Sequence, residues 1–490
     1  GMDLGSYLRS LDLIDVAHIN SVLSQLNVGK RFPELTAQEL YVNAKRPFNF
    51  NYVDGTLDVS HDNDDMGSHG SHVAGIAAAN RYIPVGKLID LNGDGEMNEA
   101  DAQTLMDHII LGTPAEELYT ADLNTDGVLD ERDVTALLDA VSTGFYADAA
   151  KLVGVTGVAP DAQVVVMKVF GANGGAYQDD LMAAIEDALL LDVDVINMSL
   201  GATSGFSSED PEIDAIYGRV EYFDTILTIS AGNETQSSYG NMWGTDQNPT
   251  SHPDSAVVSS PSTWGGALSI ASADNSHVLT TYLTVGNDVY AYYEALGLYT
   301  DFRSLAGEEL EYVMVPGLGE EADFEGLDVE GKIAVISRGT INFSLKLYNA
   351  EQAGAAGVII YNNEPGLIYL QMANEDGSLN DGISGNVPCV AVSQAVGETL
   401  AAAETKKLVI ASEDGLAPSE TAGQMSDFSS WGVTPSLELK PEITAIGGNM
   451  YSCYDDGQYG LMSGTSMSAP QLAGAAALVL QYLEEQYPDL

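Results

Sequence analysis

The chain has 490 residues and carries 72 aspartates and glutamates against 18 lysines and arginines, a formal net charge of −54. This charge argues against nucleic acid as a partner and against an anionic membrane surface, because both require a basic contact surface. Hydrophobic residues make up 45% of the chain, so large cores can form. At roughly 150 residues per domain, the length suggests about three units. No apolar run reaches the roughly 18 residues that a membrane span requires.

The two cysteines, Cys389 and Cys453, are too few for a disulfide framework, and their positions in the sequence leave open whether they meet. No charged segment followed by an apolar run, the pattern of a signal peptide, follows Gly1. We therefore expect either an intracellular protein or a part of a longer chain.

Two acidic segments of twelve residues recur 32 positions apart, DLNGDGEMNEAD at 90–101 and DLNTDGVLDERD at 122–133. Each places oxygen-bearing side chains at positions 1, 3, 5, 9 and 12 around a glycine at position 6. This arrangement suits Ca²⁺, which takes about six to eight oxygen ligands. The candidate ligands, including the backbone carbonyl at position 7, are Asp90, Asn92, Asp94, Glu96, Asn98, Asp101, Asp122, Asn124, Asp126, Val128, Asp130 and Asp133. We predict two calcium ions here, in preference to a merely solvated acidic surface.

An amphipathic helix is predicted after each loop, because apolar residues recur there with a helical period. They are Ala102, Leu105, Met106 and Ile109, then Val134, Leu137, Leu138 and Val141. The repeat resembles a dockerin domain, the calcium-binding module that docks onto cohesins, over about residues 87–143. Loop positions 10 and 11 are Glu99-Ala100 and Glu131-Arg132, where cellulosomal dockerins usually carry Ser-Thr-like pairs. The resemblance implies calcium binding, and it leaves docking to a cohesin-like module or to an intramolecular partner open.

Two segments far apart in the chain carry candidate catalytic residues. In GSHGSHVAGI (67–76), His69 opens a run of small residues that let other chains approach closely, which suggests a base held at a site, although a histidine taken alone is more often structural. In SGTSMSAP (463–470), Ser466 precedes a small-residue stretch typical of a fully buried helix. The helix dipole favours an oxyanion at its first turn, and the alternative is an N-cap serine.

A strand–helix–strand pattern lies between these segments. Continuous apolar strands are predicted at 163–169, 194–201 and 225–230, and a helix at 180–191. This alternation indicates a parallel sheet covered on both faces, with sites beyond the carboxyl ends of its strands. Asn233 falls at such an end, where its amide can donate to an oxyanion, unless it is only a turn residue beside glycine.

Together these segments resemble the subtilases, the subtilisin-like serine proteases, and especially the larger cell-envelope proteinases. The matching segments are GSHGSHVAGI (67–76), NMSLG (197–201), SAGN (230–233), SPSTWGGALSIASADN (260–275), the block 425–448 and SGTSMSAPQLAGAAAL (463–478). Ser71 replaces the usual Thr, Ile446 the usual Pro and Gln471 the common His. The resemblance implies an α/β fold, a subtilisin-like parallel sheet with helices on both faces, plus a calcium-loop helical insert and a second insert.

The resemblance also implies residue roles. Ser466 would attack a peptide carbonyl, His69 would accept its proton and return it to the leaving amine, and Asn233 would hold the oxyanion with the Ser466 N–H. The expected substrate-binding residues are Ser199, Leu200 and Gly201, which would pair with substrate backbone, and Ser230, Ala231 and Gly232, which would wall the pocket before the scissile bond.

The family's triad aspartate lies in a motif of the form apolar strand–D-[ST]-G-x-D, which this sequence lacks. Gly1-Met2-Asp3 matches its last three positions, so the catalytic aspartate is expected just upstream. The acidic residues before His69, which follow no apolar strand, are expected to be loop residues or cation ligands: Asp54, Asp62, Asp64 and Asp65. We expect an impaired protease, and the alternative is a catalytically inactive scaffold that binds partners through its inserts.

The second insert, residues 281–410, has predicted strands at 331–339, 354–361 and 386–392 and a helix at 345–353. It resembles the protease-associated (PA) domain of large subtilases, an α+β module that would bind or gate substrate. The alternative is a passive structural insert. The expected organisation is a catalytic domain in three parts, 1–85, 144–280 and 411–490, interrupted by the dockerin-like insert 86–143 and the PA-like domain 281–410. The resemblance implies an extracellular or cell-surface enzyme that acts on polypeptides.

Overall fold

The computed structural model describes residues 13–61, 64, 67–80, 91–92, 99–113, 129–143, 155–202, 211–234, 257–366, 368–374, 376–380, 382–434, 437–455 and 457–487. The chain divides into two compact units, the first formed by Gly1–Asp274 with Gln424–Leu490 and the second by Asn275–Gly423. Among the described residues, no helix has both the length and the apolar character needed to span a membrane.

The described α-helices are α1 (Val16–Val22), α2 (Asn27–Arg31), α3 (Ala37–Leu40), α4 (His69–Ala78), α5 (Glu99–Leu111), α6 (Glu131–Thr143), α7 (Gln178–Leu190), α8 (Pro211–Tyr222), α9 (Phe343–Gln352), α10 (Gln394–Ala402) and α11 (Thr465–Gln486). The described strands are β1 (Phe48–Asn51), β2 (Val165–Lys168), β3 (Val195–Met198), β4 (Ile226–Ser230), β5 (Leu268–Asp274), β6 (His277–Thr280), β7 (Tyr282–Val285), β8 (Asp288–Ala291), β9 (Tyr293–Glu294), β10 (Glu309–Met314), β11 (Ile333–Ser337), β12 (Gly357–Tyr361), β13 (Cys389–Val392), β14 (Lys407–Ile410), β15 (Gly415–Pro418), β16 (Ile443–Gly448), β17 (Met450–Cys453) and β18 (Tyr459–Met462).

A four-stranded parallel sheet, in the order β16-β5-β4-β3, forms the centre of the first unit. β1 and β2 pair in parallel as a separate two-stranded sheet. The three strands predicted at 163–169, 194–201 and 225–230 are present as β2, β3 and β4, and the predicted helix between them is α7. The local apolar pattern therefore identified these elements, although their ends differ by a few residues.

The two faces of the four-stranded sheet carry different side chains, because side chains alternate along a strand. On one face, Leu227 and Ile229 of β4 belong to an apolar cluster with residues of α7 and α8. On the other, α11 packs against the strands, and a Cβ added at Gly447 of β16 would lie 2.2 Å from Ser468 Oγ. Only a small residue permits this approach, so α11 lies close to the sheet.

β2 and β3 each have a hydrogen-bonded neighbour on one side only among the described strands. They are consecutive parallel strands joined by α7, and Val165 of β2 shares an apolar cluster with Leu200 just beyond β3. All four residues of β2 and three of the four in β3 are half-buried, whereas four of the five in β4 are buried. Parallel strands are normally interior to a sheet, with a neighbour on both sides. Among the described strands, β2 and β3 each have an open edge on one side.

The second unit is built on an eight-stranded sheet in the order β8-β7-β14-β10-β11-β12-β13-β9. β10 to β13 are parallel neighbours, and the flanking strands run antiparallel to them. One face packs on Leu347 of α9 and the other on Leu400 of α10. The predicted strands at 331–339, 354–361 and 386–392 are present as β11, β12 and β13, and the predicted helix as α9.

The second unit extends beyond the expected range of 281–410. β6 pairs antiparallel with β15, from His277 opposite Pro418 to Thr280 opposite Gly415. Residues 275–280 and 411–423 therefore lie with the second unit, and the expected boundaries of the neighbouring catalytic segments move by a few residues. The two cysteines are free thiols, one in each unit.

Candidate active site

Ser466 is the second residue of α11 and is half-buried. The first N–H groups of a helix lack partners within the helix, so this position offers a donor to an anion. Pro470 lies one turn later and has no N–H to give to the Ser466 carbonyl. Ser199 Oγ donates to that carbonyl instead, at 2.7 Å, and Ser466 Oγ lies 3.5 Å from the Ser199 carbonyl oxygen. The residue after β3 thus replaces the missing helical bond at the candidate nucleophile.

Asn233 is exposed, and its orientation is set by Thr465, the first residue of α11. Asn233 Oδ1 accepts hydrogen bonds from the Thr465 N–H at 2.9 Å and from Thr465 Oγ1 at 3.0 Å. With its carbonyl oxygen engaged, the side chain presents its NH₂ donors, which is the chemistry that an oxyanion needs. Thr465 was not among the predicted site residues, although it lies inside the segment that singled out Ser466.

The residues expected to bind substrate lie beside Asn233 and Ser466. Ser230 and Ala231 are buried, whereas Gly232 has a positive φ of 111° and its N–H donates to Thr465 Oγ1 at 3.1 Å. A Cβ on Gly232 would lie 2.2 Å from Ser259 Oγ, so the position requires glycine. Leu200 and Gly201 continue the chain after Ser199, half-buried and exposed respectively. Their contact with substrate stays a prediction.

His69 begins α4 and is half-buried. Burial lowers the pKa of the His69 imidazole, and the nearby His72 and His61 lower it further. A lowered pKa keeps the ring neutral and able to accept a proton near neutral pH. No hydrogen bond joins His69 to Ser466 among the described residues.

A hairpin made of β17 and β18 holds the residues on both sides of His69. The Asp455 N–H, at the hairpin turn, donates to Ser68 Oγ at 3.1 Å. Ser71 Oγ donates to Asp455 Oδ1 at 2.5 Å, so the position that departs from the family's threonine keeps a hydroxyl with a charged partner. These partners lie 384 positions apart, and no local pattern revealed them.

His72 ties the next turn of α4 to the same hairpin. Its Nε2 lies 3.0 Å from the carbonyl oxygen of Met450 and 3.2 Å from that of Gly460. Ser452 Oγ donates to the His72 carbonyl at 2.9 Å, and a Cβ on Gly75 would lie 2.4 Å from Ser452 Oγ. The glycine of the predicted motif therefore serves this close packing.

The two other departures from the family pattern, Ile446 and Gln471, contact each other. Gln471 Nε2 donates to the carbonyl of Ile446 and lies 3.5 Å from Met450 Sδ. The expectation that α11 is fully buried is wrong for its second half, because large apolar side chains are exposed there. Its exposed apolar residues there are Leu478, Val479, Tyr482 and Leu483.

The acidic residues before His69 have other partners in the structure. Asp64 pairs with Lys168 at the end of β2 and lies 3.5 Å from His61 Nδ1. Asp54 accepts a hydrogen bond from Asn51 Nδ2 at 2.9 Å. Asp62 and Asp65 lie outside the described residues.

Four of the candidate calcium ligands are described: Asn92, Asp101, Asp130 and Asp133. The others lie outside the described residues: Asp90, Asp94, Glu96, Asn98, Asp122, Asn124, Asp126 and Val128. In the part of the chain that the structure describes, no three acidic, histidine or cysteine side chains cluster as a metal site.

The last ligand position of both loops fits a cation. Asp101 and Asp133 are both completely buried, and the Asp130 N–H donates to Asp133 Oδ2 at 3.0 Å. Asp101 Oδ1 accepts the N–H groups of Leu91 and Asn92 at 2.8 and 3.2 Å, which turns the loop around it. Asp130 pairs with Arg132, whose Nη2 lies 2.7 Å from Asp130 Oδ2.

The chain matches the subtilase family over residues 135–489 and the dockerin type I domain over residues 88–142. It therefore belongs to the subtilase family of serine proteases and contains a dockerin domain, as the sequence motifs predicted. It is 31% identical to the PII-type proteinase of Lacticaseibacillus paracasei, over 93% of this chain and 21% of that protein. It is 34% identical to the C5a peptidase of Streptococcus pyogenes, over 68% of this chain and 27% of that protein.

Among solved structures, a psychrophilic subtilisin-like protease from an Antarctic Pseudoalteromonas is 18% identical over 68% of this chain and 70% of that one, with a TM-score of 0.35. The chain spans about a fifth of the length of the PII-type proteinase, 21%.

Proposed function

We propose that this protein is a serine endopeptidase that hydrolyses polypeptides through an acyl-enzyme. The observation that supports it most is the arrangement at the start of α11. Thr465 holds the Asn233 carbonyl oxygen, and Asn233 Nδ2 and the Ser466 N lie 3.4 and 3.6 Å from the position that a Cβ on Gly464 would take. An amide donor and a helix N–H converging on one serine suit the oxyanion of acyl transfer.

In this mechanism Ser466 Oγ attacks the peptide carbonyl and passes its proton to His69. The lowered pKa of His69 suits a base that is neutral before the reaction. Asn233 Nδ2 and the Ser466 N–H hold the tetrahedral oxyanion, and His69 then protonates the leaving amine. Water then attacks the acyl-enzyme through the same steps and releases Ser466. Ser199, Leu200 and Gly201 pair with the substrate backbone, and Ser230, Ala231 and Gly232 wall the pocket for the residue before the scissile bond.

The carboxylate that orients His69 comes, in this proposal, from a strand that inserts between β2 and β3. The open, half-buried edges of these two strands support it, since interior parallel strands normally have neighbours on both sides. In this proposal, a form of the enzyme that lacks that carboxylate is an impaired protease. For the triads in which it was measured, loss of the aspartate function costs about 10⁴-fold in kcat.

A fluorophosphonate that acylates active-site serines tests the site directly. We expect labelling at Ser466, none in Ser466→Ala, and slower labelling in His69→Ala and Asn233→Ala. A catalytically inactive scaffold, the alternative function, resists labelling altogether. Turnover of an unfolded polypeptide is then compared between this chain and one extended upstream by an aspartate-bearing strand. Equal turnover by the two forms would contradict the inserted strand while leaving the roles of Ser466 and His69 intact.

We further propose that the dockerin domain binds two Ca²⁺ ions through the two predicted loops. The complete burial of Asp101 and Asp133 at the last position of each loop supports this, because Ca²⁺ loops of this length take a carboxylate ligand at that position. Titration calorimetry with Ca²⁺ would give two sites, and Asp101→Asn and Asp133→Asn would each remove one. Binding of a single ion, or unchanged binding in both variants, contradicts the proposal.

The remaining proposals concern the setting of the enzyme. It acts outside the cell or at its surface on polypeptide substrates, its second unit is of the PA type, and its dockerin domain docks onto a cohesin-like module or an intramolecular partner. Such docking is tested at positions 10 and 11 of the second loop, which are the exposed Glu131 and the half-buried Arg132. Glu131→Ala with Arg132→Ala should weaken pull-down by a cohesin module, and unchanged capture would contradict this docking surface.

A further inference from the structure

A cleft of about 590 Å³ lies within the second unit. Its described lining comes from residues 338–344, directly after β11, and residues 371–380, in the connection after β12. Both follow the carboxyl ends of parallel strands, the edge at which α/β sheets bind ligands. The volume is in the range of ligand sites, which run from about 300 to 1,000 Å³.

The lining is polar and almost uncharged. Its polar side chains are Arg338, Thr340, Asn342, Ser344, Gln371, Asn374 and Asn380. Among the described residues of the lining, none is acidic, although the whole chain carries 72 acidic residues. Four of these side chains are amides, and each amide offers a donor and an acceptor as a peptide group does.

Arg338 is the cation of this lining. Its Nη1 donates to Asn362 Oδ1 at 3.0 Å, and no carboxylate lies within ion-pair distance of it among the described residues. Other cations of the same unit do have carboxylate partners, such as Arg303 with Asp414 and Lys407 with Glu309. A guanidinium held by one neutral amide keeps most of its donors for a ligand.

The turn that presents Arg338 is tightly built. The Arg338 N–H donates to the Tyr361 carbonyl at 2.8 Å, and Gly339 has a φ of 149°. A Cβ on Gly339 would lie 2.5 Å from Leu318 Cδ2. The fully buried Lys346 donates to the carbonyl of Ser337, the residue before Arg338, at 3.0 Å, so a second cation contacts the backbone of this turn. Burial lowers the pKa of Lys346 to about 8, which leaves it charged at neutral pH.

We propose that this cleft binds a peptide segment that bears a carboxylate, with Arg338 pairing with the carboxylate and the side-chain amides pairing with peptide groups. The guanidinium fork matches a carboxylate in two parallel hydrogen bonds. A monoanion is favoured over a phosphate dianion, because the net charge of −54 repels a dianion about twice as strongly. The carboxylate is either a chain terminus or an acidic side chain, and the two are separated by experiment.

Fluorescence anisotropy with labelled pentapeptides tests the proposal on the full chain carrying Ser466→Ala, which keeps the probe from being consumed. Three peptides share a neutral sequence: one has a free carboxyl terminus, one is amidated, and one is amidated but contains a single aspartate. We expect one or both of the carboxylate-bearing peptides to bind at least about tenfold tighter than the amidated neutral peptide. The peptide that binds identifies the source of the carboxylate, either a chain terminus or an acidic side chain.

Arg338→Gln should weaken that binding by about tenfold or more, and Arg338→Lys by less, because lysine keeps the charge and loses the fork. Arg303→Gln, the matched control in the same unit, should leave it unchanged. Asn380→Asp, which places a negative charge in the cleft lining, should abolish it. Circular dichroism identical to the parent confirms that each variant is folded.

Equal affinity for all three peptides would overturn the proposal, as would unchanged binding by Arg338→Gln. Displacement of the peptide by inorganic phosphate at concentrations at which acetate has no effect would also overturn it. These outcomes do not depend on proteolysis, because the chain used carries no nucleophile at position 466.

Discussion

Glu294 of β9 provides a quantitative test of the second unit. It is a half-buried carboxylate, and loss of solvation raises its pKa to about 7. Its two oxygens accept the Phe302 N–H at 3.0 and 3.1 Å, and Glu294 pairs with Val390 of β13. We predict that Glu294→Gln stabilises this unit at and above neutral pH, because glutamine keeps an acceptor for Phe302 and cannot ionise.

The sign and the size follow from linkage. The pKa of Glu294 is raised in the folded state, so its stabilising contribution is fully present below about pH 4.5 and is lost as the pH rises through about 7. The pKa rises from 4.5 to about 7, a difference of 2.5 units. At about 1.36 kcal/mol per unit, ionisation costs about 3 kcal/mol of unfolding free energy above pH 7. The variant should be more stable than the parent by about that amount at pH 8, and nearly equal to it at about pH 4.

Hydrogen exchange read by mass spectrometry is the suitable assay, because all three tryptophans, Trp243, Trp264 and Trp431, belong to the residue ranges of the first unit, and their fluorescence does not report on the second. Peptides covering β9 and β13 are compared between parent and variant at the same pH. At about pH 8 their slowest amides should be protected about 100-fold more in the variant. Glu308→Gln, at an exposed position of the same unit, is the control. Equal protection at pH 8, or an equal gain at pH 4, would refute the reasoning.

Three further predictions concern the first unit. Ser71→Ala should lower the free energy of unfolding by about 1–3 kcal/mol and slow phosphonate labelling of Ser466, because it removes the 2.5 Å hydrogen bond to Asp455. Ser71→Thr keeps the hydroxyl and should restore the labelling rate. Equal labelling rates in the two variants would contradict a positioning role for Ser71. Gly75→Ala should lower the melting temperature by several degrees, since its Cβ would lie 2.4 Å from Ser452 Oγ. Gly218→Ala in α8 is the control and should not lower it, because nothing lies within 4 Å of the added Cβ. Equal melting temperatures of the two variants would argue against close packing at Gly75. Asp187→Ala should lower the free energy of unfolding by about 3–5 kcal/mol, measured by urea unfolding followed by tryptophan fluorescence. The fully buried Asp187 carboxylate accepts the N–H groups of Asn27 and Val28 and the hydroxyl of Tyr52, and the variant leaves all three donors without this acceptor. A loss below about 1 kcal/mol contradicts this account.

Much of the fold was predictable because its signals are local. Unbroken apolar runs identified β2, β3 and β4, and small residues after His69 and Ser466 identified the starts of α4 and α11. The predicted calcium loops rest on side-chain spacing within twelve residues. The subtilase and dockerin matches confirm the family that these motifs indicated.

The contacts that orient the candidate site were not predictable, since they join residues hundreds of positions apart. Thr465 sets Asn233 from 232 positions away, and Ser199 replaces a bond that Pro470 cannot make. The pairing of β6 with β15 moved a domain boundary, and large apolar side chains in the second half of α11 are exposed.

The sequence by itself determined the class of protein, the positions of Ser466 and His69 and the acidic loops, because residue type and short spacing encode backbone period and chemistry. Tertiary structure alone decided that burial desolvates Glu294, which amide holds Arg338, and which hairpin holds Ser68 and Ser71 on either side of His69. The physical reason is that burial and charge pairing depend on how distant segments pack, and packing is a property of the whole fold rather than of any window of sequence.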